Sequence, residues 1–197
     1  VGHSEGAEDT KKQIEAAGRR AITVQADISK LSDIQNLVGE TWFQFGGCDF
    51  LVNNAGLEKE ADFWEVTEAD YDKVLNVNLK GTFFLTQAFV QRLRQASKPG
   101  RILNISSVHE DMAFPGFATY CASKGALRML TRDLAVELAP LNITINNIAP
   151  GAIVTPINKA LLDDKPKLEA LLKNIPLHRM GTPEDVAGLA AFLLSDD

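Results

Sequence analysis

The sequence predicts an α/β fold: a doubly wound parallel sheet in a three-layer α/β/α arrangement. Three observations predict it. Short runs rich in apolar and β-branched residues recur at 21–25 (AITVQ), 50–53 (FLVN), 101–105 (RILNI) and 144–148 (TINNI). These runs lack a clean polar alternation, which reads as strands buried on both faces. Helix-length stretches separate them, and strand alternating with helix implies crossover connections and parallel pairing.

Each helix has its own signals. The charged stretch 5–17 closes on Gly18, suited to the left-handed position just past a helix. Ser32-Asp33-Ile34-Gln35 has the spacing of a capping box and opens a helix to about Phe45, before Gly46-Gly47. Thr67-Glu68-Ala69-Asp70 opens the longest periodic segment, which reaches about Ala96 before Pro99-Gly100. A further helix over 119–138 is stopped by Pro140. Thr182 followed by Pro183 places a cap before a first-turn proline, and the helix runs through Leu194. Residues 159–179, with Pro166 and Pro176, read as a mobile excursion rather than part of the alternation.

The chain has 197 residues, 45% hydrophobic and 23% charged, enough apolar material for the core of one domain. Lys plus Arg number 20 against 26 Asp plus Glu, a net charge of -6 that disfavours nucleic acid as a partner. No run of about 18 apolar residues predicts a membrane span, so no membrane partner is expected. No apolar stretch behind basic residues opens the sequence as a secretory leader would. Cys48 and Cys121 are too few for a disulfide framework and read as reduced thiols of a cytoplasmic protein. The three histidines show no ligand spacing, and no metal site is expected.

In doubly wound sheets ligands bind beyond the carboxyl ends of the strands. The segments there are Asp27-Ile28, Asn53-Asn54-Ala55-Gly56, Ser106-Ser107-Val108-His109-Glu110 and Pro150-Gly151-Ala152, all small or polar. Tyr120 and Lys124 lie four apart at the start of a helix and share one face. An ammonium beside a phenol favours the phenolate, lowering its pKa toward neutrality; the same pair on a solvated face would do nothing. Ser107 lies 13 residues before Tyr120, directly after a strand, where a hydroxyl can face the phenol across a groove.

At this point the chain resembles the short-chain dehydrogenase/reductase family. The resemblance rests on Asn-Asn-Ala-Gly at 53–56, Asn-Leu-x-Gly at 78–81, Ser107, Tyr120 with Lys124, and Pro150-Gly151 followed by Thr155. It implies a Rossmann-like, NAD(P)-binding domain acting on a small-molecule alcohol or carbonyl. Tyr120 is then the general acid/base and Ser107 holds the reacting oxygen. Lys124 holds the nicotinamide ribose and depresses the Tyr120 pKa, and Asn78 connects Lys124 to solvent through a water. The resemblance places Asp27 and Ile28 at the adenine and Asn53, Ala55 and Gly56 at the adenosine side. Pro150, Gly151, Ile153 and Thr155 fall at the nicotinamide end, beside Tyr120 and Lys124. Asn53 reads equally well as a side chain tying neighbouring strands together.

The family's Gly-rich pyrophosphate turn has no counterpart in the sequence. Val1 reads as the end of the family's second strand, so residues 1–197 are expected to be one domain lacking its first βα unit and its last strand. In the family order 3-2-1-4-5-6-7 that leaves a one-strand slot between the second strand and 50–53. His3 and Ser4 follow Val1 where an acid would favour NAD, which leans the cofactor toward NADP or dual use, His3 being equally a plain turn residue. NNAGLE, SSVHE and GAIVTPIN together resemble the bacterial glucose 1-dehydrogenase branch, which implies oxidation of a sugar to its lactone. Glu58, His109 and Glu110 then line the substrate mouth, the alternative for the last two being a solvated loop pair. A 3-oxoacyl-[acyl-carrier-protein] reductase would share every catalytic residue, and a dinucleotide-binding module without turnover is the alternative of another class. His178 reads as a surface or lid residue. The resemblance also implies a homotetramer, with Phe83, Phe84, Phe89 and Leu93 serving either the core or a subunit contact.

Overall fold

The computed structural model describes residues 4–197, the side chains of residues 4, 5, 157 and 160 excepted. The expected strand end at Val1 and the Gly2-His3 turn lie outside the described residues, as does the side chain of Ser4. The description opens on helix α1 (Ser4–Ala16), which closes before Gly18 at φ 75°.

Residues 21–25, expected as a strand, form no ladder. A strand exists only through paired N–H and C=O groups, and among the described residues no strand pairs with this run. Helix α2 (Leu31–Phe45) begins two residues earlier than a cap at Ser32 implies: Lys30 is the extended cap residue and makes no side-chain cap bond. The Asp33 carboxylate accepts from the Asp27 N–H at 2.9 Å and so ties the turn before the helix to its first turn.

Strands β1 (Phe50–Asn53), β2 (Gly100–Ile105) and β3 (Ile143–Ile148) form a parallel sheet in the order β1-β2-β3. Its register sets Asn53 beside Asn104 and Asn104 beside Asn147. Ile102, Ile143 and Ile145 bury one face against Phe89, Leu93 and Leu138. A second cluster joins Ile34, Val38 and Leu85. Leu103, pointing to the opposite face by strand alternation, is fully buried, and helix α8 (Pro183–Leu194) lies against β2 and β3.

The long periodic segment is two helices with a wider turn between them. Helix α3 (Glu68–Leu75) is capped by Thr67, whose hydroxyl accepts from the Asp70 N–H at 3.1 Å. A π-helical stretch, Asn76–Gly81, then leads into helix α4 (Thr82–Ala96). Such bulges re-aim side chains and gather at functional sites. Gly81 is needed there by close approach: a Cβ would sit 2.7 Å from the Ile28 carbonyl oxygen. On α4, Phe89 and Leu93 are core residues, Phe84 packs beside Leu85, and Phe83 remains exposed.

Helix α5 (Ala118–Leu138) follows β2, and Asn142 takes the left-handed turn into β3. The expected excursion at 159–179 is largely helical, as α6 (Lys159–Asp163) and α7 (Lys165–Asn174). Pro166 falls in the first turn of α7, where its missing N–H costs nothing, and Asp164 caps the turn by accepting from the Lys167 N–H. At α8 the Thr182 N–H donates to Asp185 at 2.8 Å, as the Thr-Pro start implies. His178 is exposed.

Candidate active site

The loops leaving β2 and β3 are zipped together beyond the sheet. The Ser106 N–H donates to the Ile148 carbonyl at 2.7 Å and the Val108 N–H to that of Pro150 at 3.0 Å. Ser107, buried at 6% exposure, is fixed between these two bonds, and its Oγ accepts from the His109 N–H at 3.2 Å. Tyr120 stands in the first turn of α5 and Ser107 faces its phenol. One turn on, Lys124 is buried at 5% exposure; its Nζ donates to the Ile105 carbonyl at 2.9 Å and lies 5.7 Å from the Tyr120 ring centre.

Asn78 reaches this pair from the π-helical stretch. Its Oδ1 accepts from the Leu57 N–H at 2.9 Å, and its Nδ2 donates to the Leu57 carbonyl at 2.8 Å and to Ser123 Oγ at 3.0 Å. Ser123 in turn donates to the Tyr120 carbonyl at 2.7 Å. A Cβ at Gly56 would lie 3.5 Å from Asn78 Oδ1 and 3.8 Å from Lys124 Nζ, so the loop after β1 passes directly over both. The fold thus brings Asn78, Ser107, Tyr120 and Lys124 into one cluster. Ser123, fully buried, is a member that the Tyr-x-x-x-Lys spacing conceals.

The electrostatics differ from the expectation for Tyr120. Its phenol is pushed up rather than down, chiefly by burial, with the Glu58 charge adding to the rise and the Ser107 hydroxyl opposing it. Burial lowers Lys124 to about 8, with the Glu110 charge opposing that fall. The lysine is therefore a weakened counter-charge, already bonded to a carbonyl, and burial of the phenol prevails.

Several of the expected nucleotide contacts lie at the carboxyl edge. Ala55, Gly56 and Gly151 are exposed, Pro150, Ile153 and Thr155 half-buried. A Cβ at Gly151 would meet nothing within 4 Å, so the crevice is open there. Ile153 pairs with Gly181 in a parallel bridge. Asp27 uses its carboxylate locally, accepting from the Ser29 N–H at 3.0 Å and hydroxyl at 2.7 Å, and these bonds hold it below its usual range. Ile28 packs against Gly81 and the α2–α4 cluster. Asn53 is buried, and its Nδ2 donates to Thr86 Oγ1 at 3.0 Å and Asn104 Oδ1 at 2.8 Å, which is the strand-tying role. Small open residues beside a buried ammonium and a phenol fit the ribose end of a nicotinamide dinucleotide. A Gly-rich turn for its pyrophosphate is not among the described residues.

At the mouth, Glu58 is half-buried and raised by that burial, with His109 opposing. The His109 ring stacks on Phe114 at 4.2 Å, Phe114 stacks on Phe117 at 4.1 Å, and Tyr120 meets His109 edge-on at 6.4 Å. The two phenylalanines form a flat wall that no motif in the sequence marks. Glu110, expected at the mouth, is turned away: its carboxylate, 14% exposed, accepts from Asn147 Nδ2 at 3.3 Å and lies 3.7 Å from Arg128 Nε.

Residues 1–197 match the family described as Enoyl-(Acyl carrier protein) reductase. The chain is 43% identical over 192 residues to 3beta-hydroxysteroid dehydrogenase 1 of Eggerthella lenta, covering 98% of this chain and 74% of that protein. It is 39% identical over 197 residues to a 3-oxoacyl-[acyl-carrier-protein] reductase of Staphylococcus epidermidis, covering 100% of this chain and 79% of the relative. A gluconate 5-dehydrogenase from Burkholderia cenocepacia, solved in complex with NADP and tartrate, superposes with a TM-score of 0.90 at 33% identity. That match covers 98% of this chain and 75% of the other. The parallel sheet, its flanking helices and these likenesses agree, and the chain belongs to the short-chain dehydrogenase/reductase family. It is an oxidoreductase of that type. Among the described residues no helix is long and apolar enough to cross a membrane.

Proposed function

We propose that this chain is an NAD(P)-dependent oxidoreductase acting on CH–OH groups, with a sugar such as glucose as substrate, oxidised at its anomeric hydroxyl to the lactone. The observation that carries the chemistry is the convergence of Ser107, Tyr120, Lys124 and, through Ser123, Asn78 around one point at the carboxyl end of the sheet. Tyr120 takes the proton of the alcohol in oxidation and returns it to the carbonyl in reduction. Ser107 holds the reacting oxygen, and Lys124 binds the nicotinamide ribose while its charge favours the phenolate. Asn78 fixes the loop that covers Lys124. The nicotinamide, when bound, takes up or supplies the hydride. Ala55, Gly56, Pro150, Gly151, Ile153 and Thr155 would hold it, and NADP is the favoured form.

The sugar reading is supported by the mouth, where Glu58 and His109 offer a carboxylate and an imidazole beside a flat aromatic wall. A site that hydrogen-bonds hydroxyls rejects analogues lacking them strongly. The second reading, reduction of a 3-oxoacyl thioester, is favoured by the Staphylococcus epidermidis relative matched along the whole chain. Turnover of β-D-glucose with NADP or NAD, set against acetoacetyl thioester with the reduced cofactor, separates the two. Glucose is expected to give the higher kcat/KM; preference for the thioester replaces the sugar reading, and turnover of neither substrate class leaves a binding module. The same chemistry is proposed for a homotetramer, with the exposed Phe83 at a subunit contact.

A further inference from the structure

Tyr120, Lys124 and Arg128 stand four apart on α5 and share one face of the helix. The first two belong to the site. The third, half-buried, meets the end of the turn that follows Ser107 (Val108–Glu110). Arg128 Nε lies 3.7 Å from Glu110 Oε1, and Arg128 Nη1 pairs with Asp111. A guanidinium is a rigid planar fork, so one arginine holds two adjacent carboxylates in a set orientation. The backbones are close as well: a Cβ at Gly125 would lie 3.7 Å from the Glu110 carbonyl oxygen.

The sheet holds Glu110 from its other side. Each strand carries an asparagine at the same level, and each amide donates to the next. Asn53 Nδ2 donates to Asn104 Oδ1 at 2.8 Å, and Asn104 Nδ2 to Asn147 Oδ1 at 3.1 Å. Asn147 Nδ2 donates to Glu110 Oε2 at 3.3 Å, and a carboxylate, which only accepts, ends the row. Thr131 of α5 accepts from Asn104 at 3.0 Å and meets Asn147 Oδ1 at 2.7 Å, which fixes that amide's orientation. The Ser107 turn is thus attached twice. Backbone bonds from Ser106 and Val108 join it to Ile148 and Pro150, and Arg128 joins it to α5.

We infer that Arg128 is a positioning residue of the site: by clasping Glu110 and Asp111 it fixes the turn that carries Ser107 against the helix that carries Tyr120. The inference rests on the reading of Ser107 and Tyr120 as the two hydroxyls that meet the reacting oxygen. Arg128 itself touches neither and acts through the turn. Two hydroxyls on different elements serve one oxygen only while those elements keep their spacing, and a displacement of about 1 Å can cost about 100-fold in rate.

Amide exchange followed by NMR tests the clasp without any turnover. In the intact protein, Arg128→Ala is expected to speed exchange at Val108, His109, Glu110 and Asp111 by roughly 3- to 10-fold, the worth of two half-exposed ion pairs. The amides within β2 and β3 keep their protection. Arg128→Lys, which keeps the charge but not the fork, falls between the two. If Arg128→Ala does not fold, Glu110→Gln removes one of the two pairs at nearly constant shape and gives a smaller increase at the same amides. Kinetics supply the second arm: Arg128→Ala lowers kcat by about 10- to 100-fold, yet by less than about 2-fold in a Ser107→Ala background, where the group it places is gone. Unchanged exchange at Val108–Asp111 overturns the inference, as does a rise shared equally by β2 and β3. A loss of kcat that is the same in both backgrounds overturns it too. The exchange arm separates this failure from that of the proposed reaction, because it stands whether or not either substrate is turned over.

Discussion

Replacing Asn78 with alanine tests how the site is held together. The side chain is 1% exposed and makes three hydrogen bonds, from Leu57 N–H (2.9 Å), to the Leu57 carbonyl (2.8 Å) and to Ser123 Oγ (3.0 Å). Each such bond is worth about 1 kcal/mol net, and more where the abandoned partner stays dry. Leu57 is half-buried, so its N–H and carbonyl regain water; Ser123 is fully buried and keeps only its bond to the Tyr120 carbonyl. The sum is about 3 kcal/mol, a large fraction of a typical total stability of roughly 5–15 kcal/mol. For a chain of this size that corresponds to a fall in Tm of roughly 6–12 °C. Urea unfolding at constant m-value measures it. Asn78→Asp is the companion variant: it retains an acceptor for the Leu57 N–H but turns a second oxygen toward the Leu57 carbonyl and buries a charge, so it falls further than alanine. An alanine variant within about 0.5 kcal/mol of wild type refutes the clamp. So does an aspartate variant more stable than the alanine one.

Two further outcomes follow from the electrostatics of the same cluster. Lys124 is lowered to about 8 from its ordinary 10.5, so between those pH values the unfolded chain binds the extra proton and stability rises with pH. The burial cost, about 3 kcal/mol, weighs fully below pH 8; Lys124→Met therefore approaches or exceeds wild-type stability at pH 7 and loses ground to it by pH 10, as denaturant midpoints at the two pH values will show. At the mouth, Glu58→Ala is expected to raise the KM for a sugar by about 10- to 100-fold, the loss of one charged hydrogen bond. KM for a simple secondary alcohol stays unchanged, and steady-state kinetics on the two substrates check this.

Much of the architecture was legible in the sequence because it follows from local rules. The alternation of apolar runs with periodic stretches placed β1, β2 and β3, and Thr67, Gly18 and Gly46 marked helix ends that they do occupy. The failures have physical causes. Residues 21–25 have strand composition, but composition supplies no partner for their backbone. Ser32 has the spacing of a cap, yet the helix starts at Leu31, which places Ser32 inside it, and its hydroxyl donates to Asp33 Oδ1 at 3.2 Å. The π-helical turn at Asn76–Gly81 leaves the apolar periodicity almost undisturbed, so the segment reads as one helix.

In the site, Tyr120, Lys124, Ser107 and Asn78 were readable as a set because their order along the chain is distinctive. The role of Glu110 was not, since its position after Ser107 suggests the mouth whereas its partners Asn147 and Arg128 lie far along the chain. A clue did exist: FLVN, RILN and ITINN each put an asparagine in or near the end of an apolar strand. Polar amides in buried strands demand partners, and parallel pairing in register makes them one another's. The direction of the Tyr120 shift was misjudged for a related reason. Spacing reveals that an ammonium is near a phenol, but only the fold shows how deeply both are buried.

Tyr120→Phe bears most directly on the whole account, since it removes one oxygen at the point where the other groups meet. Turnover with NAD(P) is expected to fall by about 10²- to 10⁴-fold, with the unfolding midpoint and cofactor affinity of the intact protein little altered. A phenylalanine variant that turns over substrate at the wild-type rate contradicts the account, because proton transfer must then run through another group.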